Sequence, residues 1–454
     1  MKFIDIPSLG MPSGRPTIWR ATAADAWAPD PRPASYAQET HLEYTRASAG
    51  AAPLVPSWLG IAFDLPPGLD PRAFATALAA WTNRHENLRS RLVPPGMRRE
   101  TLPPDTVTVH GEERVTDLNG PQLAAGIEEL FDREAQPLGW PGFVCVTVDR
   151  AAATTVYLGA DHSLMDGYSV FLVPHEIRTL YLGGPELPTA ASHLDFAAAE
   201  RCTVDLLTAD DPSLSTWRKF VAATGGELPE FPTPVKHLGA SPPAQPSGHR
   251  HLLDAAATGA FDRACRSAGG DAFAGLLACL ARTGYEATGE PQFDTMAPFH
   301  TRTAPYRSSL GWYVGMAPIS FPLHDPRSFA CTLRSAVSGL DGVREMARVP
   351  VGRVTELLGV PLRDPFMVSY MDLRRTPGAD EWVANRTVSL RGRSNDPDEV
   401  YFWFLRTHEG LTVSWRHPAT EAGHTAVGRY VERARQLLEE VADAGHWQTA
   451  PVAA

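Results

Sequence analysis

Apolar residues recur at two different periods along the chain, and the changes of period divide it into elements. In LDPRAFATALAAWTNRHENLRSRL (69–92), Phe74, Leu78 and Trp81 recur at helical spacing. Asp70 is placed to cap and Pro71 suits a first turn, so a helix is predicted from there to between Asn83 and Asn87. An extended segment follows, and PPG at 94–96 marks a turn. Two runs rich in Val, Thr and Tyr, 142–149 and 154–160, predict strands joined by residues 150–153. YSVFLVPHEIRTLYLGG then reads as a helix stopped by Gly183 and Gly184. Further helices are expected at about 193–207 and 213–223.

Residues 225–248 are dense in Pro and Gly with little periodicity, which reads as a linker. Beyond it the alternation resumes. Helices are predicted at 257–267 and around FAGLLACLARTG, and strands in GWYVGMAPISFPL, FMVSYMDL, VSLRGR, VYFWFLRTH and LTVSWRHP. A last helix, HTAVGRYVERARQLLEEVAD, puts Val427, Tyr430, Val431, Ala434, Leu438 and Val441 on one side. The chain is therefore expected to be mixed α/β, with helices and strands interleaved in both halves. The expected organisation is an N-terminal subdomain (1–185), a helical connector and Pro-rich linker (186–248), and a C-terminal subdomain (249–454).

Composition narrows the function classes. A formal net charge of −11, with no Lys/Arg run, argues against a nucleic-acid partner. No stretch approaches about twenty uninterrupted apolar residues, so no membrane span is expected. The N-terminus lacks the apolar region of a secretory signal. The five cysteines are far apart and form no CxxC pair, which argues against a zinc site or a disulfide framework. A cytoplasmic location is the expectation.

The candidate chemistry lies in GADHSLMDGYS (159–169), directly after a predicted strand. Four readings are open. The first is an ordinary polar turn. The second is metal binding by His162 and Asp166 at i and i+4, although no nearby cluster completes a shell. The third is a Ser/His/Asp triad, weakened because Ser163 adjoins His162 and no GxSxG elbow occurs. The fourth is a lone general base in thioester-dependent acyl transfer. An imidazole with a reference pKa near 6.5 can accept a proton from an alcohol or amine, and Gly167 would supply backbone freedom for the turn.

Five motifs in order bear on the choice. Asp161-His162-Ser163-Leu164-Met165-Asp166-Gly167 resembles HHxxxDG, the hallmark of the condensation-domain superfamily of acyltransferases. RHENLRSRL resembles that superfamily's RHxxLRxxF segment, and DPSLSTWRKFVAATGGELPEFP its helix with a central Trp, here Trp217. LGWYVGMAPISFPL resembles its VGxFxNxxPLR segment. FMVSYMDLRRTPG, together with PSGRPTIWRAT near the N-terminus, resembles the polyketide-associated acyltransferases that decorate glycolipids. One departure stands out: Asp161 occupies the place of the first motif His.

The resemblance implies two chloramphenicol-acetyltransferase-like subdomains in a V, with the active site at their junction. It implies that His162 is the general base and that Asp166 ion-pairs with an arginine of the second half. Arg302 is the candidate partner and Arg307 the reserve. Gly167 would support the loop, and Asp161 would be a structural variant, would orient a neighbour, or would lower the site's tolerance for anionic substrates. Trp312 and Tyr313 would line the tunnel floor, although Trp312 also reads as sheet core. Ser369 and Tyr370 would line the channel near the base, with Ser369 placed to donate to an oxyanion. Trp403 and Trp415 read as core aromatics.

The implied donor is an acyl-CoA or the phosphopantetheinyl thioester of an acyl carrier protein. The implied acceptor is a small-molecule hydroxyl or amine. No permanently bound cofactor and no metal are expected. With no carrier domain seen, the protein is expected to act in trans. O-acylation of a sugar, polyketide or other hydroxyl is the leading expectation. The alternatives are amide formation as in nonribosomal peptide assembly, or a silent module that recruits a partner.

Overall fold

The computed structural model describes residues 2–24, 26–49, 56–94, 96–114, 116–360 and 365–447. The turn expected at 94–96 includes Pro95, which lies outside them.

Two large sheets carry the fold. The first has seven strands in spatial order Phe3–Ile4, Val388–Arg391, Trp58–Leu65, Thr154–Asp161, Phe143–Asp149, Arg15–Ala23 and Val107–Glu113. The second has six, in the order Ser247–Asp254, Gly410–Arg416, Val400–Thr407, Phe366–Asp372, Gln292–His300 and Val314–Pro322. A small three-stranded sheet, Ala28–Asp30, Arg98–Thr101 and Ser90–Val93, flanks the first.

Each large sheet is covered by helices with a matching apolar stripe. The helix Pro71–Arg84 starts where Asp70 accepts from the backbone of Arg72 and Ala73, and it buries Phe74, Leu78 and Trp81. It packs on the helix Gly167–Leu182, and both cover one face of the first sheet. The opposite face is covered by the helix Gly120–Glu134 through Leu123, Ile127 and Phe131. In the second half, the helices Ala255–Ser267, Ala272–Thr288 and Glu421–Ala444 cover one face of the six-stranded sheet. Fully buried side chains such as Phe261, Leu277 and Leu438 each contribute about 1.5–3 kcal/mol there.

Two sequence expectations change. VSLRGR forms a strand, but in the first sheet rather than the second. Val388–Arg391 runs antiparallel to Trp58–Leu65, with Val388 opposite Ala62 and Arg391 opposite Leu59. The second half thus hands a strand across to the first, and its alternation could not show which sheet would receive it. The expected linker 225–248 is indeed without helix or strand up to Ser247. It is nevertheless packed, since Leu228, Phe231 and Val235 are buried in the second core.

Candidate active site at the seam between the sheets

The strand Thr154–Asp161 ends at the seam. Its last backbone groups are tied down on both sides: Asp161 N donates to Gly142 O, and His162 N donates to Ser57 O at 3.1 Å. The chain turns through Ser163–Met165 and restarts as a helix with Asp166 as its cap, whose carboxylate accepts from Ser169 N at 2.7 Å.

His162 is half-buried, its ring 3.9 Å from the Trp312 ring centroid at an interplanar angle of 31°. Its Nδ1 is buried without a hydrogen bond of ordinary geometry. Nε2 bonds to no protein atom among the described residues and is not among their buried unpartnered atoms, which leaves it open at the seam. Burial, then the neighbouring His41, pulls the imidazole down to about 4, so the ring is neutral at neutral pH.

Asp166 is a buried anchor. Arg302 Nη2 donates to its Oδ1 at 2.9 Å, and Tyr313 N donates to its Oδ2 at 3.0 Å. Arg302 also donates to the carbonyls of Tyr306 and Ser309 and lies 4.1 Å from the Tyr313 ring centroid. Burial alone would raise the Asp166 carboxyl, but Arg302 and the Ser169 and Tyr313 amides outweigh it and hold it below the usual carboxylate range. Arg307 does not join this pair; its backbone caps a short turn at Ala304–Tyr306.

The same contacts place Gly311 against the loop. Its carbonyl accepts from Asp166 N and Ser169 Oγ. A Cβ there would lie 2.3 Å from His193 Cδ2 and 2.8 Å from the Tyr313 ring, so only glycine lets the two segments approach this closely. His193, buried and pulled down to about 3 by that burial, bonds through Nε2 to Trp312 O at 3.2 Å. Trp312 is thereby held over His162.

Asp161 is fully buried and does not merely fill the place of a histidine. Its Oδ1 accepts from Ser163 N at 2.8 Å, and its Oδ2 accepts from Ser57 Oγ at 2.7 Å. His41 Nε2, from the helix Tyr36–Ala49, lies 3.2 Å from its Oδ1. Burial pushes this carboxyl up, but His41 and Ser163 prevail and keep it below its ordinary range. The His41 ring then sits 6.4 Å from His162 and 5.5 Å from Trp312. The site therefore contains a second imidazole and a serine that sequence reasoning missed. His41 and Ser57 lie 120 and 104 residues before Asp161, and no spacing could have linked them.

The other expected residues divide by strand face. Along Phe366–Asp372, Met371 reaches within 3.8 Å of the position a Gly167 Cβ would take, so the face of Met371 and Ser369 looks toward the loop. Tyr370 looks the other way, packs on the second core and stacks on Phe273 with centroids 5.4 Å apart. It does not line a channel shared with Ser369. Tyr313 also faces inward: it is wholly buried, with its hydroxyl 2.7 Å from Ser309 Oγ, and it backs Arg302 rather than a tunnel floor. Trp312 is not sheet core but a half-buried ring in the loop before Val314–Pro322. Trp403 is half-buried rather than core, with Arg391 4.5 Å above it. Gly167 does not need glycine's backbone freedom: it is not among the glycines at positive φ, and an added Cβ would meet only the end of Met371 at ordinary contact distance.

No helix among the described residues is long and apolar enough to cross a membrane. None of their His, Cys, Asp and Glu side chains form a group of three or more that could hold a metal ion.

No protein-family model matches the chain. It is 28% identical to acyltransferase PapA3 of Mycobacterium tuberculosis, over 97% of this chain and 96% of that one. It is 27% identical to trehalose-2-sulfate acyltransferase PapA2 of Mycobacterium bovis, over 90% of each. Among solved structures it is similar to a PapA2 acyl transferase, with a TM-score of 0.88, 23% identity and coverage of 98% of this chain and 100% of that one. The first condensation domain of the calcium-dependent antibiotic synthetase aligns with a TM-score of 0.68, 17% identity and coverage of 92% and 97%. The fold is thus that of the condensation domains, and the chain is an acyltransferase. Within that fold it is similar to the PapA acyltransferases.

Proposed function

We propose that the protein moves an acyl group from a thioester to a hydroxyl acceptor, with His162 as general base. The observation that carries this reading is the neutral His162 ring, held by Trp312, with Nε2 open at the seam between the sheets. Nε2 takes the proton of the acceptor hydroxyl as its oxygen attacks the thioester carbonyl. The carbonyl oxygen becomes an oxyanion, which then collapses with cleavage of the C–S bond. The imidazolium returns the proton to the departing thiolate, giving ester and free thiol. Such a base contributes ~10²–10⁴-fold, and fixed placement of both reactants contributes much of the rest.

Asp166 and Arg302 act as positioning residues: they hold the loop and so the imidazole. Ser369, on the face of its strand turned to the loop, donates to the oxyanion in this reading, which its burial on that face supports. The donor is an acyl-CoA or a carrier-bound thioester. The relatives' names include a trehalose-2-sulfate acyltransferase, which points to a sugar hydroxyl as acceptor.

The test is intact-mass analysis of reactions pairing a panel of acyl thioesters with sugar alcohols or with amines. Ester formed from the sugars supports the reading. Amide alone transfers the protein to the condensation chemistry of peptide assembly. No product from folded protein makes it a recruiting module.

A further inference from the structure

A second polar site lies where the crossing strand meets the second sheet. A cavity of about 200 Å³ is lined by Asp5, Gln245, Ser247, Arg391, Arg393 and Arg416. That is several times the roughly 30 Å³ share of one water. Arg391 comes from the first sheet and Arg416 from the second, so the cavity spans the same seam as His162.

Arg391 is 5% exposed. Its Nη2 donates to Trp415 O at 3.0 Å, its guanidinium lies over Trp403, and its Nη1 is buried with no partner. No carboxylate pairs with it among the described residues. A buried guanidinium with no carboxylate bonded to it is costly unless something completes it. The other two arginines are already paired: Arg393 Nε donates to Glu128 at 2.7 Å, and Arg416 Nη2 to Glu399 at 2.6 Å. Arg416 Nε remains a buried donor without a partner. Asp5, held by the Ser247 hydroxyl, also lines the cavity and opposes an anion there. One unpaired cation against one carboxylate suits a singly charged ligand better than a dianion.

We infer that this cavity binds a singly charged oxyanion ester, a sulfate monoester or a phosphodiester, through the guanidinium groups of Arg391 and Arg416 that line it. Guanidinium forks match such oxygens in geometry as well as in charge. The cavity wall is linked to the candidate active site through hydrogen-bonded and register-paired residues. Gly392 N donates to Trp58 O, and the preceding residue, Ser57, accepts from His162 N and bonds Asp161. Trp403, under Arg391, is paired in register with Ser369. The ester is therefore assigned to a substrate of the acyl transfer, a step that rests on the proposed function; the anion binding itself does not.

The test begins without turnover. Wild-type protein is titrated calorimetrically with methyl sulfate and with dimethyl phosphate, against chloride at matched ionic strength. Saturable binding of either is expected, weakened at least about tenfold in Arg391→Gln, as loss of one charged hydrogen bond requires. No saturable binding in wild type, or equal binding in the variant, overturns the site. Should Arg391→Gln not fold, Arg391→Lys keeps the charge without the fork and must still weaken binding. KM values then locate the source. A rise for a sulfated sugar but not its unsulfated parent places the ester on the acceptor. A rise for acyl-CoA but not acyl-pantetheine places it on the donor. A variant that moves neither KM removes the assignment to a substrate.

Discussion

His41 Nε2 lies 3.2 Å from the buried carboxylate of Asp161, at the place where the superfamily motif has its first histidine. The site therefore holds a second imidazole, supplied from another element, with Asp161 as its anchor. Asp161 also accepts from Ser57 and Ser163, so Asp161→Ala orphans several donors at once. A loss of at least about 1–3 kcal/mol of stability is expected, readable by urea unfolding. Asp161→Asn, which keeps one acceptor oxygen, should recover part of it. Equal stability of Asp161→Ala and wild type would contradict the anchoring role.

Asp166 and Arg302 form a buried pair across the two halves, with side chains 1% and 5% exposed. Removing either partner alone leaves a buried charge and should cost about 3–5 kcal/mol. Asp166→Asn with Arg302→Met should cost clearly less than the sum of the single changes. Additive costs in urea unfolding would show that the pair is not coupled.

Two glycines beside the loop should behave differently. Gly311→Ala puts a Cβ 2.3 Å from His193 and should cost about 1–3 kcal/mol through forced displacement. Gly167→Ala meets only Met371 at 3.7 Å, at a backbone conformation open to any residue, and should leave Tm unchanged or slightly raised. The reverse order of melting temperatures would contradict the packing described for the two positions.

The pH profile follows from the half-buried imidazole. His162 is pulled down to about 4, against ~6.5 for a free side chain. The unfolded chain therefore binds a proton at this residue between those values while the folded chain does not. Its contribution to stability is complete above ~6.5 and is lost as pH falls toward 4. A base that stays neutral down to that point gives kcat/KM no acid limb near 6.5. The profile should be level from about pH 5.5 upward and should fall only toward pH 4, as followed by initial rates in a constant-ionic-strength buffer series. A limb at 6.5 would mean that the ring is more hydrated than its surroundings here.

What the sequence made legible was local. Strand and helix around 154–182 follow from Val/Thr/Tyr enrichment and from the stop at Gly183 and Gly184, and the motif itself brought Arg302 into view as a partner. Contacts made by chain crossing were not legible. His41 sits on a helix whose apolar stripe is short, and nothing in YAQETHLEYTR marks one imidazole as bound for a buried carboxylate. Val388–Arg391 reads as a strand, but strand alternation carries no address for a partner sheet. Tyr370 and Ser369 are adjacent in sequence and were expected to share a channel, yet neighbours in a strand face opposite ways, and only the packing decides which face meets the loop.

The account depends on His162 accepting the proton, and replacing that one ring tests it most directly. His162→Ala is assayed beside wild type on the same thioester and hydroxyl acceptor, with melting temperature as the control for folding. A fall in kcat of ~10²–10⁴-fold at unchanged Tm is predicted. Turnover within about threefold of wild type, from equally stable protein, would contradict it.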